Sequence, residues 1–551
     1  MLARSATVVL AVAAALTLSA LAPLTFASDP DALDASIVLR AGDNILGLGA
    51  VTSVSGITLD SVGNWYAEID TDWGVSSEDG AIVRNGAVYI REGSSAGTPP
   101  GAEISNFDDL DGSATDTGNL GWMVQISGGG VTSSDNLAVY FGPNQLFRNG
   151  DPLVLPGVPA GTTWSSILDV KANESRQLLV MGTANDPVSG FVRALVKLQA
   201  FPGGGFTQEL VAYYGLPQAG APELVEELEF GIHEFALSDA GHAIYSALLD
   251  SAPSTDRTVF LDGAVVAREG SASPVPDRPW QTLSNTQVDV NRHGDYVLTG
   301  ILQGVNDDDA LIELSGNVHI REGDVLPAIS PLHVTALGPP QVVSPIHLGD
   351  NGNVLWVGGW SDPAKPGVRA LFLNDRLLVE AGSTVIDGEL IESFEPNTGG
   401  HALSDDGQTV LLRCRINGNQ HAVVRINIGP WVSLGRGLAG SGGLMPCLVG
   451  AGPLLAGQPF SLQLTNGAPA AFATLVVGFG ELGAMFKGGV LVPQLDLLFN
   501  LPLDASGERL LAAPFPTGAP SGLPLYCQFW VQDAGGPAGF SASNAVLGTL
   551  P

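Results

Sequence analysis

The stretch FALSDAGHAIYSALL, residues 235–249, is two apolar runs joined by the polar tetrad Ser238-Asp239-Ala240-Gly241. A Ser, Asp or Asn early in such a tetrad bonds its own backbone, and a closing Gly accepts the positive φ that turns the chain into a hairpin. Six further tetrads share this pattern: DSVG ending at Gly63, TDTG at Gly118, ANES at Ser175, NRHG at Gly294, GDNG at Gly352 and SDDG at Gly407. Placed in register on the fourth residue, the seven are spaced 55, 57, 66, 53, 58 and 55 residues apart. That period has room for four short strands and their turns, the size of one propeller blade. ANES lacks the glycine and is the weakest copy.

Three and four residues past each marker lies an apolar pair: Tyr66/Ala67, Gly121/Trp122, Leu178/Leu179, Ile244/Tyr245, Val297/Leu298, Leu355/Trp356 and Val410/Leu411. Neighbouring residues of a strand face opposite ways, so this strand is covered on both faces, as a strand between two blades would be. A second mark alternates with the first. It reads LRAGD at residues 39–43, IREG at 90–93, FRNGD at 147–151, AREG at 267–270, IREGD at 320–324 and VEAG at 379–382, with a degenerate PQAG at 217–220. Its Arg and Glu are expected to bridge neighbouring blades, and its Gly to make a turn. The first such mark precedes the first tetrad and none follows the last tetrad. The N-terminal strand SIVLRAGD is therefore expected to complete the blade begun by SDDG, leaving no free sheet edge. Residues 35–428 read as a seven-bladed β-propeller, with six or eight blades as the alternatives if ANES or PQAG mislead.

The rest of the chain divides around this array. Residues 1–27 have an early Arg4, a long apolar run and small residues before the first acids, the pattern of a secretory signal peptide. Residues 429–440 form a Gly-rich linker. Residues 441–551 contain apolar strand candidates such as FSLQLTN and LYCQFWVQD at β-sandwich spacing. The expected class is all-β, a propeller followed by a C-terminal sandwich, secreted to the extracellular space or cell surface, monomeric, and with no membrane span in the mature chain. Of the three cysteines, Cys447 and Cys527 are the better disulfide pair, and Cys414 reads as a buried apolar residue.

The tetrad followed by an aromatic or leucine, clearest in NRHGDYVL and GDNGNVLW, resembles the N-x-x-G-x-x-x-F tandem repeat of uncharacterised exported bacterial proteins. The resemblance covers about seven-tenths of the chain and implies no activity. The ending YCQFWVQDAGGPAGFSASNAVLGTLP is similar to a tail module of other large exported bacterial proteins.

A formal charge of −33 with only four lysines excludes nucleic acid and anionic lipid as partners, because both are bound through Lys and Arg. The weak calcium candidates are Asp108, Asp109, Asp111 and Asp116 in NFDDLDGSATDTG, where oxygen-rich side chains suit a hard cation. EIDTDWG and NDDDALIE are looser versions. No other cofactor is expected. Zinc spacing, a phosphate-cradling loop and a nucleophile elbow are all missing from the sequence. The Asp-rich tetrads depart from the Asp-box of sialidase-type propellers, because SDAG and SDDG have no residue between Ser and Asp. No catalytic residue is named. The expected function is non-catalytic binding of a carbohydrate, cell-surface component or protein through face loops, with residues 93–115 and 182–220 as the long insertions to inspect. The alternatives are a polysaccharide-active hydrolase or lyase with carboxylates at the central channel, and a structural surface protein.

Overall fold

The computed structural model describes residues 34–550 except 61–63, 108–109, 111–113, 116–118, 202, 230–233, 305–308, 330–331, 338–344, 366, 368, 395–399, 442–444 and 521. The expected signal peptide therefore lies outside the described residues. No helix among them is long and apolar enough to cross a membrane. The chain is all-β, with short 3-10 turns at Pro327–Ile329 and Pro537–Gly539. It divides into two compact units, one of Ala35–Asp350 and Val354–Ile426, the other of Met1–Asp34, Asn351–Asn353 and Asn427–Pro551.

The larger unit is β-propeller-like. Its described residues build seven antiparallel sheets of four to six strands, taken up one after another along the chain. Sheet 1 holds Gly49–Leu59 and Trp65–Thr71, sheet 2 Ala102–Phe107 and Gly121–Gly128, and sheet 3 Thr163–Ala172 and Gln177–Asp186. Sheet 4 holds Ala221–Leu228, Phe235–Leu237 and Ala243–Leu249, and sheet 5 Val288–Val290 and Tyr296–Leu302. Sheet 6 holds His347–Leu348 and Val354–Trp360, and sheet 7 His401–Leu403 and Thr409–Ile416. Sheet 7 takes its outermost strand, Asp34–Arg40, from the start of the described chain.

Apolar clusters join consecutive sheets. Tyr66 and Ile82 of sheet 1 pack with Trp122 and Tyr140 of sheet 2. Leu179 of sheet 3 packs with Tyr245 of sheet 4, whereas its neighbour Leu178 joins the cluster shared with sheet 2. Ile244 likewise turns toward sheet 5 and Tyr245 toward sheet 3. Leu411 and Val423 of sheet 7 share a cluster with Ala67 and Val83 of sheet 1, so the series returns to its start. Adjacent apolar residues thus serve two different clusters, as period-two strands buried on both faces require.

The second mark is the crossing between sheets. The glycine N–H reaches a carbonyl of the next sheet in six copies: Gly42 to Val51 and Gly93 to Ile104 (2.8 and 2.9 Å), Gly150 to Trp164 and Gly270 to Trp280 (2.7 and 2.8 Å), Gly323 to Val334 and Gly382 to Ile391 (both 2.8 Å). All six glycines have positive φ, from 74° to 92°, which disfavours any side chain there. The expected bridging by Arg is corrected. Arg91 pairs with Glu78, Arg268 with Glu223 and Arg321 with Asp309, so each arginine is engaged by an acid of its own repeat and not of the next.

Residues 182–220 are not a loop insertion. They lie in the long strands Gln177–Asp186, Gly190–Ala200 and Phe206–Tyr213, which extend sheet 3 and account for the longest tetrad spacing.

In the smaller unit, one sheet orders Trp431–Gly435, Ala545–Thr549, Pro524–Gln532, Phe472–Gly478 and Leu497–Pro502, and a second orders Cys447–Ala451, Pro459–Thr465 and Arg509–Pro514. One apolar cluster draws Leu475, Val477 and Phe529 from the first sheet and Leu448, Phe460 and Leu462 from the second. Residues 429–440, expected as linker, include the paired strand Trp431–Gly435. The expected Cys447–Cys527 disulfide is corrected too. Cys527 is a free thiol on a central strand, fully buried in that cluster, and burial pushes its pKa far up. Cys414 is also free and buried, with its thiol pushed up to about 12 by desolvation.

Candidate functional site

Six of the tetrads begin with a side chain that bonds the backbone four residues on, and GDNG, which begins with Gly349, does not. Asp60 accepts the Asn64 N–H (2.6 Å), Asn173 the Gln177 N–H (2.9 Å), Ser238 the His242 N–H (3.0 Å) and Asn291 the Asp295 N–H (3.0 Å). In the third copy this shifts the register by one residue from ANES to Asn173-Glu174-Ser175-Arg176. Arg176 holds the left-handed position with φ of 63° where the other described copies have glycine. It is retained there by hydrogen bonds to the carbonyls of Ala200 and Phe201 and by the Phe141 ring 4.9 Å away.

In two described tetrads the second residue, Asp239 or Asp350, bonds a neighbouring tetrad rather than its own turn. Asp239 accepts the Glu174 N–H from sheet 3 (3.0 Å), and Asp350 accepts the Arg292 N–H from sheet 5 (2.9 Å). Asp289, on the strand leading into its tetrad, accepts the Leu348 N–H of sheet 6 (2.8 Å). The tetrads are thereby latched side by side around one channel.

That channel encloses a cavity of about 110 Å³, lined by residues of all seven sheets, from Ile57 through Ala114, Lys171, Asp239, Asp289 and His347 to Asp405. By this measure it holds several waters. Asp239, Asp289, Asp350 and Asp405 line it together. Its cations are already engaged: Lys171 Nζ lies 3.2 Å from Asp169, and Arg292 Nε lies 3.1 Å from Asp350. His347 bonds the His401 carbonyl at 3.1 Å, and the two rings meet edge to face at 5.1 Å. Asp405 keeps contact with water, and crowding by the channel wall together with the negative charges of Asp239, Asp350, Asp289 and Glu174 raises its carboxyl above its ordinary value.

The calcium candidates Asp108, Asp109, Asp111 and Asp116 lie outside the described residues. Asp116 is the second residue of its own tetrad. Of the looser sets, Asp70 accepts from Ser53 (2.6 Å) and Asp72 accepts the Ala50 N–H (2.7 Å), so both tie strands together. Asp309 binds Arg321 at 2.7 Å and also Arg278, and the Arg321 hydrogen bond chiefly holds its carboxyl below the ordinary range. No group of three or more His, Cys, Asp or Glu suited to a metal ion occurs among the described residues.

A second buried acid stands apart from the channel. Glu234 is 3% exposed, and its pKa is pushed up to about 8 by burial and then by the Glu229 charge, against the opposing pull of Arg193 and Arg257. Between pH 4.5 and 8 the unfolded chain has released this proton and the folded chain still holds it, so stability falls as pH rises through that window. Glu234→Gln is expected to melt like the parent near pH 4 and to exceed it by a few kcal/mol above pH 8, read from denaturant midpoints across the range. A constant offset at every pH would show that the Glu234 proton is not the cause.

Fold and channel together define an all-β, propeller-like chain with an acid-lined axial site. No family model matches it, and no curated protein matches it. Among solved structures it is similar to a putative oxidoreductase (glucose dehydrogenase) of Thermus thermophilus at 10% identity and a TM-score of 0.25, covering 72% of this chain and all of that one. A gluconolactonase of Xanthomonas campestris aligns at 10% identity and a TM-score of 0.24, over 74% and 98% of the two chains. Trypanosoma rangeli sialidase aligns at 11% and 0.26, over 91% and 92%. No residue role is carried across from any of them.

The expectation of a non-catalytic module binding through face loops is corrected here. Asp239, Asp289, Asp350 and Asp405 converge in the channel, and none of them lies in residues 93–115 or 182–220. The sequence reading missed the site because it treated each acid as a local turn former. The available signal was an Asp or Glu at the second tetrad position in five copies, Asp116, Glu174, Asp239, Asp350 and Asp405.

Proposed function

We propose that the chain is an exported polysaccharide hydrolase that works at the channel mouth of a closed seven-bladed propeller and carries a β-sandwich as its second unit. The blade count is supported by the seven sheets and the cluster joining the last to the first. The sandwich is supported by the apolar cluster common to its two sheets. The observation that carries the functional reading is the convergence of Asp239, Asp289, Asp350 and Asp405 on one channel, where the Asp405 carboxyl is raised above its ordinary value. Acid–base cleavage of a glycosidic bond needs one carboxyl group that donates a proton and a second that accepts one, and the channel brings several carboxyl groups together. Asp405 protonates the leaving oxygen, and Asp350 or Asp289 receives a proton from water held in the channel. The cavity is too small to thread a sugar chain, so the substrate meets these groups at the opening.

The test is incubation of the purified chain with a panel of neutral and charged polysaccharides, scoring new reducing ends and new unsaturated ends. Reducing ends are expected without unsaturated ones, with activity falling as pH rises through the raised Asp405 pKa. Asp405→Asn is expected to lose roughly 100-fold or more while melting at a similar temperature. Unsaturated ends would mean elimination instead of hydrolysis. No new ends on any substrate, or full activity in Asp405→Asn, would remove the channel from the chemistry.

A further inference from the structure

In the crossing mark, Ala41 and Ala381 stand where other copies carry a carboxylate, and a cavity opens beside Ala381. In sheets 1 and 5 the mark's Glu makes a two-way connection to the start of a neighbouring strand. Glu92 N–H donates to the Gly80 carbonyl (2.9 Å) while its carboxylate accepts the Gly80 N–H (3.1 Å), and Glu322 does the same with Ala310 (3.0 and 3.1 Å). Asn149 replaces Glu in sheet 2 and keeps both bonds to Leu137 (2.9 and 2.7 Å). In sheet 6 the mark is Glu380-Ala381-Gly382. Its backbone is unchanged: Ala381 N–H donates to Arg369 (3.1 Å) and Gly382 N–H to Ile391 (2.8 Å). A methyl group accepts no hydrogen bond, so the Arg369 N–H lacks the side-chain acceptor that Gly80, Leu137 and Ala310 have.

A cavity of about 480 Å³ opens at this place, bordered by Lys365, Arg369, Ala381, Ser383, Ser393 and Phe394. Lys365 is engaged by Glu380 and by the Ser383 hydroxyl (2.7 Å). Arg369 is exposed and has no carboxylate partner among the described residues, in a chain with 56 acids to 23 lysines and arginines. At Ala41, the copy with the same shortening and the same backbone pairing, the facing residue is His421, whose ring is bonded to Val54.

We propose that this cavity binds a small organic acid of sugar size, a uronic acid, whose carboxylate takes the place of the missing glutamate. The carboxylate accepts the Arg369 N–H and pairs with its guanidinium, the Ser383 and Ser393 hydroxyls serve the ring hydroxyls, and Phe394 supplies the apolar wall for the ring face. A charge-assisted bond to a guanidinium is the strong component of such recognition. The cavity exceeds what a bare carboxylate would fill and falls within the range of small-ligand pockets. This site does not depend on the chemistry of the channel.

The experiment is calorimetric titration of the full chain with sodium glucuronate and with glucose, at an ionic strength of about 0.15 M so that distant acids are screened. Glucuronate is expected to bind, and glucose to bind at least about tenfold more weakly. Arg369→Ala is expected to weaken glucuronate about tenfold or more. Ala381→Glu returns the repeat's own side chain, so it is expected to abolish binding and to raise the melting temperature. That gain shows that the variant folds. Equal binding of glucose and glucuronate, binding that survives Ala381→Glu, or no glucuronate binding at millimolar concentration would each overturn the proposal.

Discussion

Removal of residues 34–40 is expected to cost the larger unit several kcal/mol and to leave it prone to self-association. This strand is the outer strand of sheet 7, although it comes from the opposite end of the unit's sequence. Leu39 is 2% exposed in the cluster that joins sheet 7 to sheet 1, and the Ile37 N–H donates to Asp387 at 2.7 Å. Losing one buried leucine alone costs about 2–5 kcal/mol. Deletion also uncovers the backbone groups of Gln420–Asn427, an apolar strand with Val423, Val424 and Ile426 fully buried. An exposed edge of that kind pairs with other chains. Thermal melting with light scattering should show a lower transition and larger particles, and a synthetic peptide of residues 34–43 should reverse both. A monodisperse deletion variant with an unchanged melt would show that the closing strand does not hold the unit together.

Trp356→Ala is expected to be the most damaging single substitution considered, at about 3–5 kcal/mol. The indole is 2% exposed between sheets 5 and 6, lies 4.5 Å from the Phe372 ring in a stacked pair, and donates from Nε1 to the Asn374 carbonyl at 2.8 Å. Truncation opens a cavity and also orphans a buried acceptor, worth a further ~1 kcal/mol. Trp356→Phe should recover most of the packing and not the hydrogen bond, so its denaturant midpoint should fall between the two. If Phe is no better than Ala, the hydrogen bond and not the packing dominates at this position.

The recurring tetrads and crossing marks carried most of the architecture in local chemistry. Side chains that bond their own turn and glycines at positive φ act over four residues, so they mark hairpins wherever they occur. Period-two apolar pairs identify strands buried on both faces for the same reason. All of this could be read from SDAG, from its relatives and from pairs such as Ile244/Tyr245.

Even locally there was one failure. The third tetrad was read one residue early because Arg176 occupies a glycine position, supported by a ring and two carbonyls that are distant in sequence. The reading of residues 182–220 as a loop failed because strand length in sheet 3 is set by its ladder partners, which composition does not reveal.

Everything that depends on one sheet standing next to another was settled only by folding. Asp239, Asp289, Asp350 and Asp405 are separated by roughly a repeat each and become one charged ring only when the sheets close, which is why Asp405 differs from any isolated aspartate. The thiol of Cys527 is enclosed by apolar neighbours rather than bonded to Cys447. The alanine of VEAG becomes a cavity only because five other copies show what the same backbone does with a longer side chain or a different neighbour. Sequence determined the repeating unit and its turns, since those forces are short in range. Tertiary structure decided which repeated side chains meet, because desolvation and charge–charge interaction depend on distances that only the closed assembly of sheets sets.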